Sequence, residues 1–204
     1  MLTIYGTKLS NRVQKVMMTA ELLGYEYTIK EVDIAKGETQ TPEYLAKHPA
    51  GKVPVFEDED GFVLFESNAM SKYLVKKMQS DLYPADLKEQ GLVDQWCDFA
   101  SLHIDIHAAS LGFNLVIAPM IGAQVDQMSL EEKPKFLKRF IDVVDKQLGK
   151  TKYIAGDTMT IADISLLAAT DPFEAINFDF SEFTHFKTWR EELQSQDFYK
   201  ATHA

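Results

Sequence analysis

Strand character is confined to one end of this chain. Four short apolar or alternating segments of strand type fall within the first 65 residues, and no such segment follows residue 87. Leu2 to Tyr5 is a short apolar strand, and Tyr27 to Val32 alternates as a second. Val53 to Phe56 and Phe62 to Phe65 flank Glu57-Asp58-Glu59-Asp60-Gly61. The Asp-Gly pair marks that segment as a hairpin turn, and its acidic run reads as a solvated turn. Between the strands lie helices. Asn11 to Leu23 places Val13, Val16, Met17, Ala20 and Leu23 on one face, and Gly24 stops it. Thr41 is an N-cap with Pro42 at the first helical position, and this helix ends near His48-Pro49. A third helix runs from Ser67 to about Met78. The order is β-α-β-α-β-β-α. Strands one and two need a helical crossover and should be parallel; strands three and four should form an antiparallel hairpin.

Ser80 to Leu87, with Pro84, reads as a linker. Beyond it the pattern is helical. Leu92 to Phe113 is a long helix expected to bend near Ser110–Gly112. Leu130 to Leu148 is amphipathic, with Pro134 placing its regular start near Lys133. Thr160 to Thr170 is more apolar and should be central, and shorter helices follow from Phe183 to Leu193 and near the C-terminus. The fold class is therefore α+β with two domains: a mixed domain over residues 1–80 and an all-helical one over 88–204. A hydrophobic content of 46% supplies cores for both.

The net charge of −10 gives no electrostatic footprint for nucleic acid or an anionic membrane surface, yet leaves room for a small anion in a local pocket. The single cysteine, Cys97, allows no internal disulfide and suits a reducing compartment. Met1 to Tyr5 is too short and too uncharged for a secretory signal, and no apolar run reaches the ~20 residues of a membrane span. A cytoplasmic location with no membrane partner is expected.

Three junctions carry chemistry. At Phe65-Glu66-Ser67 a strand ends and a helix begins. The first turn of a helix has unpaired N–H groups and partial positive charge, a place for a carboxylate. Ser67 can donate to that anion and Glu66 can pair with a cation, which suits a ligand bearing an amine and a carboxylate on one carbon. At Gly51-Lys52-Val53-Pro54, a cis Val53-Pro54 bond would expose the main chain of Val53 to the backbone of a bound peptide. At Lys8-Leu9-Ser10-Asn11-Arg12, the Ser10 hydroxyl opens the first helix and can donate to an incoming anion. Read singly, each is better explained as a plain cap or an ordinary trans edge proline. Together they lie where strands of an open sheet end.

The segments Pro42-Glu43-Tyr44-Leu45, Pro49-Ala50-Gly51-Lys52-Val53-Pro54-Val55 and Leu64-Phe65-Glu66-Ser67-Asn68-Ala69 resemble the glutathione transferase superfamily, its serine-type members and phi class in particular. In the helical half, Gly156-Asp157-Thr158-Met159-Thr160-Ile161-Ala162-Asp163 is similar to that family's capping box. The resemblance implies a thioredoxin-like N-terminal domain and a C-terminal helical bundle. It implies an enzyme that uses glutathione as co-substrate and no cofactor or metal, acting on small hydrophobic electrophiles or on peroxides, in detoxification, as a homodimer. By the same resemblance Ser10 stabilises the glutathione thiolate. Glu66 and Ser67 hold the γ-glutamyl end, Val53 pairs with the cysteinyl main chain before cis Pro54, and Lys52 serves the glycyl carboxylate. Where phi-class members often carry His-Lys, this chain has Thr39-Gln40; Gln40 can hydrogen-bond but brings no charge, leaving Lys52 as the nearby cation. Leu9, Phe113, Ile117, Pro119 and Met120 are the implied electrophile contacts, expected between the domains.

His103 and His107 share a helical face at metal-ligand spacing, but Ile104 stands where a zincin needs glutamate, so no metal site is expected. Cys97, beside Trp96, reads as a buried inert thiol. Two competing functions remain at this level. Residues 49–69 also resemble the transferase-like interaction module of the elongation factor gamma subunit, and a non-catalytic carrier of apolar ligands would share the fold.

Overall fold

The computed structural model describes residues 1–203. It separates into two compact units. One comprises Met1–Tyr83 and the segment from Gln196 onward; the other is Pro84–Ser195. The C-terminal helix thus departs from the expected 88–204 boundary. An amphipathic end helix takes whichever apolar face is open to it, and here it packs on the first helix of the N-terminal unit.

That unit contains β1 (Leu2–Gly6), α1 (Asn11–Leu23), β2 (Tyr27–Glu31), α2 (Pro42–Lys47), β3 (Val55–Glu57), β4 (Val63–Phe65) and α3 (Ser67–Lys77). The sheet order is β2-β1-β3-β4. β1 runs parallel to β2 and antiparallel to β3, and β3 pairs antiparallel with β4, as the connection lengths required. Leu2, Ile4, Val13, Val16, Met17, Phe56, Met70 and Leu74 form the core between the sheet and α1 and α3. α1 ends as expected on Gly24, at φ 59°, whose N–H reaches Glu21. Thr41 caps α2 by accepting from the Tyr44 N–H. β3 starts two residues later than its apolar run suggested, at Val55 rather than Val53, because the proline at 54 has no N–H for the ladder.

The acidic hairpin turn is not wholly solvated. Asp58 is 4% exposed. Its carboxylate accepts from Lys77 Nζ at 2.7 Å, Tyr73 Oη at 2.6 Å and the Glu59 N–H at 2.8 Å. Burial on its own would raise its pKa; those donors outweigh burial and bring it down to about 2. The turn is thereby tied to α3.

The second unit is all helix. α4 (Leu87–Phe99), α5 (Ile106–Gly112) and α6 (Ala118–Met120) are one continuous rod joined by the wider π-type turns Ala100–Asp105 and Phe113–Ile117. Gly112 neither ends nor interrupts it. By length and composition alone the rod Leu87–Met120 is long and apolar enough to cross a membrane, unlike any apolar run expected from the sequence. Its inward residues Ile104, Ala108, Leu111 and Ala118 are buried core. α7 (Gln127–Leu148) starts earlier than Pro134 suggested, because Asp126 caps it by accepting from Ser129, and Pro134 is carried inside. α8 (Ile161–Thr170) is buried along its whole length. α9 (Thr184–Gln194) closes this unit, and α10 (Asp197–His203) belongs to the first.

The capping box at α8 forms, and its acid does more than cap. Asp163 is fully buried, and its carboxylate accepts from the Thr160 and Ile154 N–H groups, both at 2.9 Å, and from Trp189 Nε1 at 3.1 Å. It therefore joins three segments. Asp163→Ala should destabilise the protein by about 3 kcal/mol, and Thr160→Ala by about 1 kcal/mol. Urea unfolding followed by circular dichroism measures both. Asp58 behaves differently with pH. Its carboxyl is depressed in the folded state, so its contribution is present above the unfolded value of ~3.9 and is lost as pH falls toward about 2. Asp58→Ala should cost about 2 kcal/mol at neutral pH, and the gap to wild type should close between about pH 4 and 2 in the same assay.

Candidate functional site

The sheet register decides where the candidate site lies. Tyr5 pairs with Val55, and Val55 with Phe65. The end of β1, the start of β3 and the end of β4 therefore stand in one row, and the loops that leave it are the three singled out above. Together they line a cavity of about 380 Å³. Ser10 and Arg12 come from the first loop and helix start, Lys52, Val53 and Pro54 from the second turn, and Glu66 and Ser67 from the third junction. Thr39, His48, Gly51 and Ile34 complete the wall.

Two helices begin at this cavity without using the nearby side chains as caps. Ser10 occupies the N-cap position of α1 with extended backbone, φ −87° and ψ 118°, yet its hydroxyl makes no capping bond. Glu66 holds the N-cap position of α3 and makes none either. The plain-cap reading of Ser10 is thus not realised. Ser67 is the first helical residue and is buried. Glu66 adopts φ 73° and ψ 107°, a conformation that costs a non-glycine residue about 1–3 kcal/mol and persists only where the surrounding structure imposes it. Close packing sets the first loop. A Cβ on Gly6 would stand 2.6 Å from Val13 Cγ2, so only glycine lets α1 return against the end of β1.

The second turn is strapped from below. The Val53-Pro54 bond is cis. Ladder pairing begins at Val55, so the main chain of Val53 lies outside the sheet. Tyr44 Oη donates to the Lys52 carbonyl at 2.8 Å, and burial pushes the phenol up to about 12, keeping it a donor. Gly51 sits at φ 59°, where a Cβ would fall 2.4 Å from Gln40 Nε2 and 2.9 Å from the Thr39 carbonyl. Gln40 is exposed, and its amide donates to the Gly51 carbonyl at 3.4 Å. Thr39, not Gln40, lines the cavity.

Two groups in the wall were missed. Arg12 is a second cation beside Lys52, which corrects the view of Lys52 as the lone nearby charge. Its position two residues into α1, on the same end as Ser10, was a usable signal. His48 is 4% exposed and was read only as a helix end. Burial draws its imidazole below the usual histidine range, against the pull of Glu66 and with the push of Lys52. Its burial is not marked locally, since the ring it packs on, Phe65, comes from β4.

The remaining expected residues are not part of the lining of this cavity. Leu9 is 93% exposed in the loop after β1. Phe113, Ile117 and Met120 are exposed along the end of the long helical rod of the second unit. His103 packs tilted on Phe140, His107 stacks with Phe136 and Phe140, and among the described residues no group of three or more metal-ligating side chains is gathered. Cys97 is buried.

Two family models match the chain: glutathione S-transferase N-terminal domain over residues 1–76 and glutathione S-transferase C-terminal domain over 108–197. A probable glutathione S-transferase GSTF2 of Oryza sativa subsp. japonica is 34% identical over 200 residues, 95% of this chain and 91% of that protein. The crystal structure of glutathione transferase F7 from Populus trichocarpa superposes with a TM-score of 0.91 at 29% identity, covering 100% of this chain and 98% of that one. A glutathione S-transferase-I structure bound with lactoylglutathione superposes with a TM-score of 0.89 at 28% identity, covering 98% and 97%. With both domain models matched in order and phi-class plant proteins similar over nearly its whole length, the chain belongs to the glutathione S-transferase family.

Proposed function

We propose that this protein is a glutathione transferase that delivers the glutathione thiolate to small hydrophobic electrophiles, with Ser10 as the catalytic hydroxyl. The observation that carries this reading is the Ser10 side chain. It stands at a helix start, makes no cap, and faces a cavity lined by two cations and a second helix start. A hydroxyl donating to sulfur stabilises the charged form and lowers a thiol from ~8.5 toward neutrality. Serine does not attack; the sulfur does. The same thiolate is the nucleophile that glutathione-dependent peroxide reduction requires.

The rest of the cavity matches the ends of the tripeptide. Glu66 faces the γ-glutamyl amine, while the Ser67 hydroxyl and the first N–H groups of α3 face its carboxylate. The Val53 main chain pairs with the cysteinyl residue. Lys52 and Arg12 supply the charge for the glycyl carboxylate that Thr39 and Gln40 do not. The single, buried Cys97 suits a reducing, cytosolic setting, and a detoxifying role follows from conjugation of electrophiles. Leu102 and Ile106, 63% and 54% exposed on the helical unit, supply apolar surface for a homodimer.

The protein should be retained on glutathione-agarose and conjugate a chlorinated aromatic substrate; retention without turnover would select a binding module or carrier instead. Ser10→Ala should lower kcat about 100-fold, the scale of losing one donor to a developing anion, while glutathione affinity changes less than about threefold. Equal turnover in the variant refutes the assignment. Light scattering should give twice the chain mass of 23.2 kDa, and a monomer mass would contradict the dimer.

A further inference from the structure

His48 connects two of the three loops that build the tripeptide site. Its carbonyl accepts from the Gly51 N–H at 2.8 Å, and its Nδ1 accepts from the Ala50 N–H at 3.3 Å. Its ring lies on Phe65, with centroids 4.7 Å apart and planes 29° from parallel. Phe65 immediately precedes Glu66, the residue held at φ 73°. One buried side chain thus touches both the turn that carries Lys52 and Val53 and the strand end that carries Glu66 and Ser67.

We propose that His48 is a positioning residue for glutathione, its neutral imidazole holding the Lys52–Val53 turn through Nδ1 and the Glu66 junction through Phe65, so that protonation of Nδ1 loosens the site. This rests on the glutathione reading given above. A neutral imidazole accepting at Nδ1 carries its proton on Nε2; once both nitrogens are protonated, neither can accept. The Ala50 N–H then confronts another N–H, and the turn loses its side-chain tie. The charged groups facing the ring are Glu66 from the β4–α3 junction and Lys52 from its own turn, with Arg12 of α1 in the same cavity wall. Their signs oppose, and burial leaves the imidazole neutral at pH 7. The transition falls below ~6.5, the ordinary histidine value.

The geometry also says which substitution should preserve the tie. Nδ1 accepts from the N–H two residues ahead, the bond that an asparagine side-chain oxygen makes in an Asx turn. Asparagine therefore keeps the acceptor without titrating. Alanine removes both acceptor and stack.

The test is calorimetric titration of the full chain with S-methylglutathione from about pH 7 to about pH 5, in wild type, His48→Asn and His48→Ala. This probe has no thiol, so the chemistry at Ser10 does not enter. Wild-type affinity should fall about fivefold over that range, the scale of one hydrogen bond. His48→Asn should bind within about threefold of wild type at pH 7, with a flat profile. His48→Ala should be about fivefold weaker at pH 7 and also flat. A flat wild-type profile, or an acid loss that persists in His48→Asn, overturns the positioning role. If wild type does not bind the probe at pH 7, the glutathione reading itself fails and takes this proposal with it.

Discussion

The row formed by Tyr5, Val55 and Phe65 is the constraint from which the site follows. Side chains alternate across a strand, so a slip of one residue between β1 and β3 would turn Ile4 or Phe56 out of the core. Burial of those two residues therefore fixes the register. The register in turn fixes which loop ends meet. Ser10, Val53 and Glu66 are far apart in sequence and converge because their strands end in the same row. Gly6 and Gly51 permit the close approaches that complete the arrangement.

The charge distribution around that row reconciles an acidic protein with an anionic ligand. The chain carries −10 overall, yet its cavity presents two helix starts, Arg12 and Lys52 against one carboxylate, Glu66. Net charge governs long-range encounter, and local dipoles and pairs govern what is held. Ser10 and Glu66 make no capping bond, and both line the cavity. The stability forgone there is supplied elsewhere: Asp86, Asp126 and Thr160 cap helices of the second unit.

Two buried carboxylates show how one residue type serves both units. Asp58 ties a hairpin to α3 through a lysine and a tyrosine. Asp163 ties α8 to the 154 segment and to α9 through backbone and indole donors. Asp58 meets a cation and titrates low. Asp163 has no cation among its hydrogen-bond donors, and burial raises it to about 6. The accompanying charge decides the direction.

What the sequence determined alone was whatever depends on near neighbours. Period-two and helical patterning located all four strands and most helices; Gly24, Thr41 and the Thr160–Asp163 box marked helix ends. The three loops of the site were legible for the same reason, as strand-to-helix junctions and an X-Pro turn. Tertiary structure decided the rest. Asp58 looks like a solvated turn residue until Tyr73 and Lys77 arrive from α3. His48 looks like a helix end until Phe65 stacks on it. Helix α10 looks like part of the helical domain until α1 offers it a face. Gly112 looks like a bend and Pro134 like a helix start until the helices run through both, α7 being capped eight residues earlier at Asp126. Local propensity amounts to tenths of a kcal/mol per residue and is readable in place; burial and pairing are worth more and depend on segments that only folding brings together.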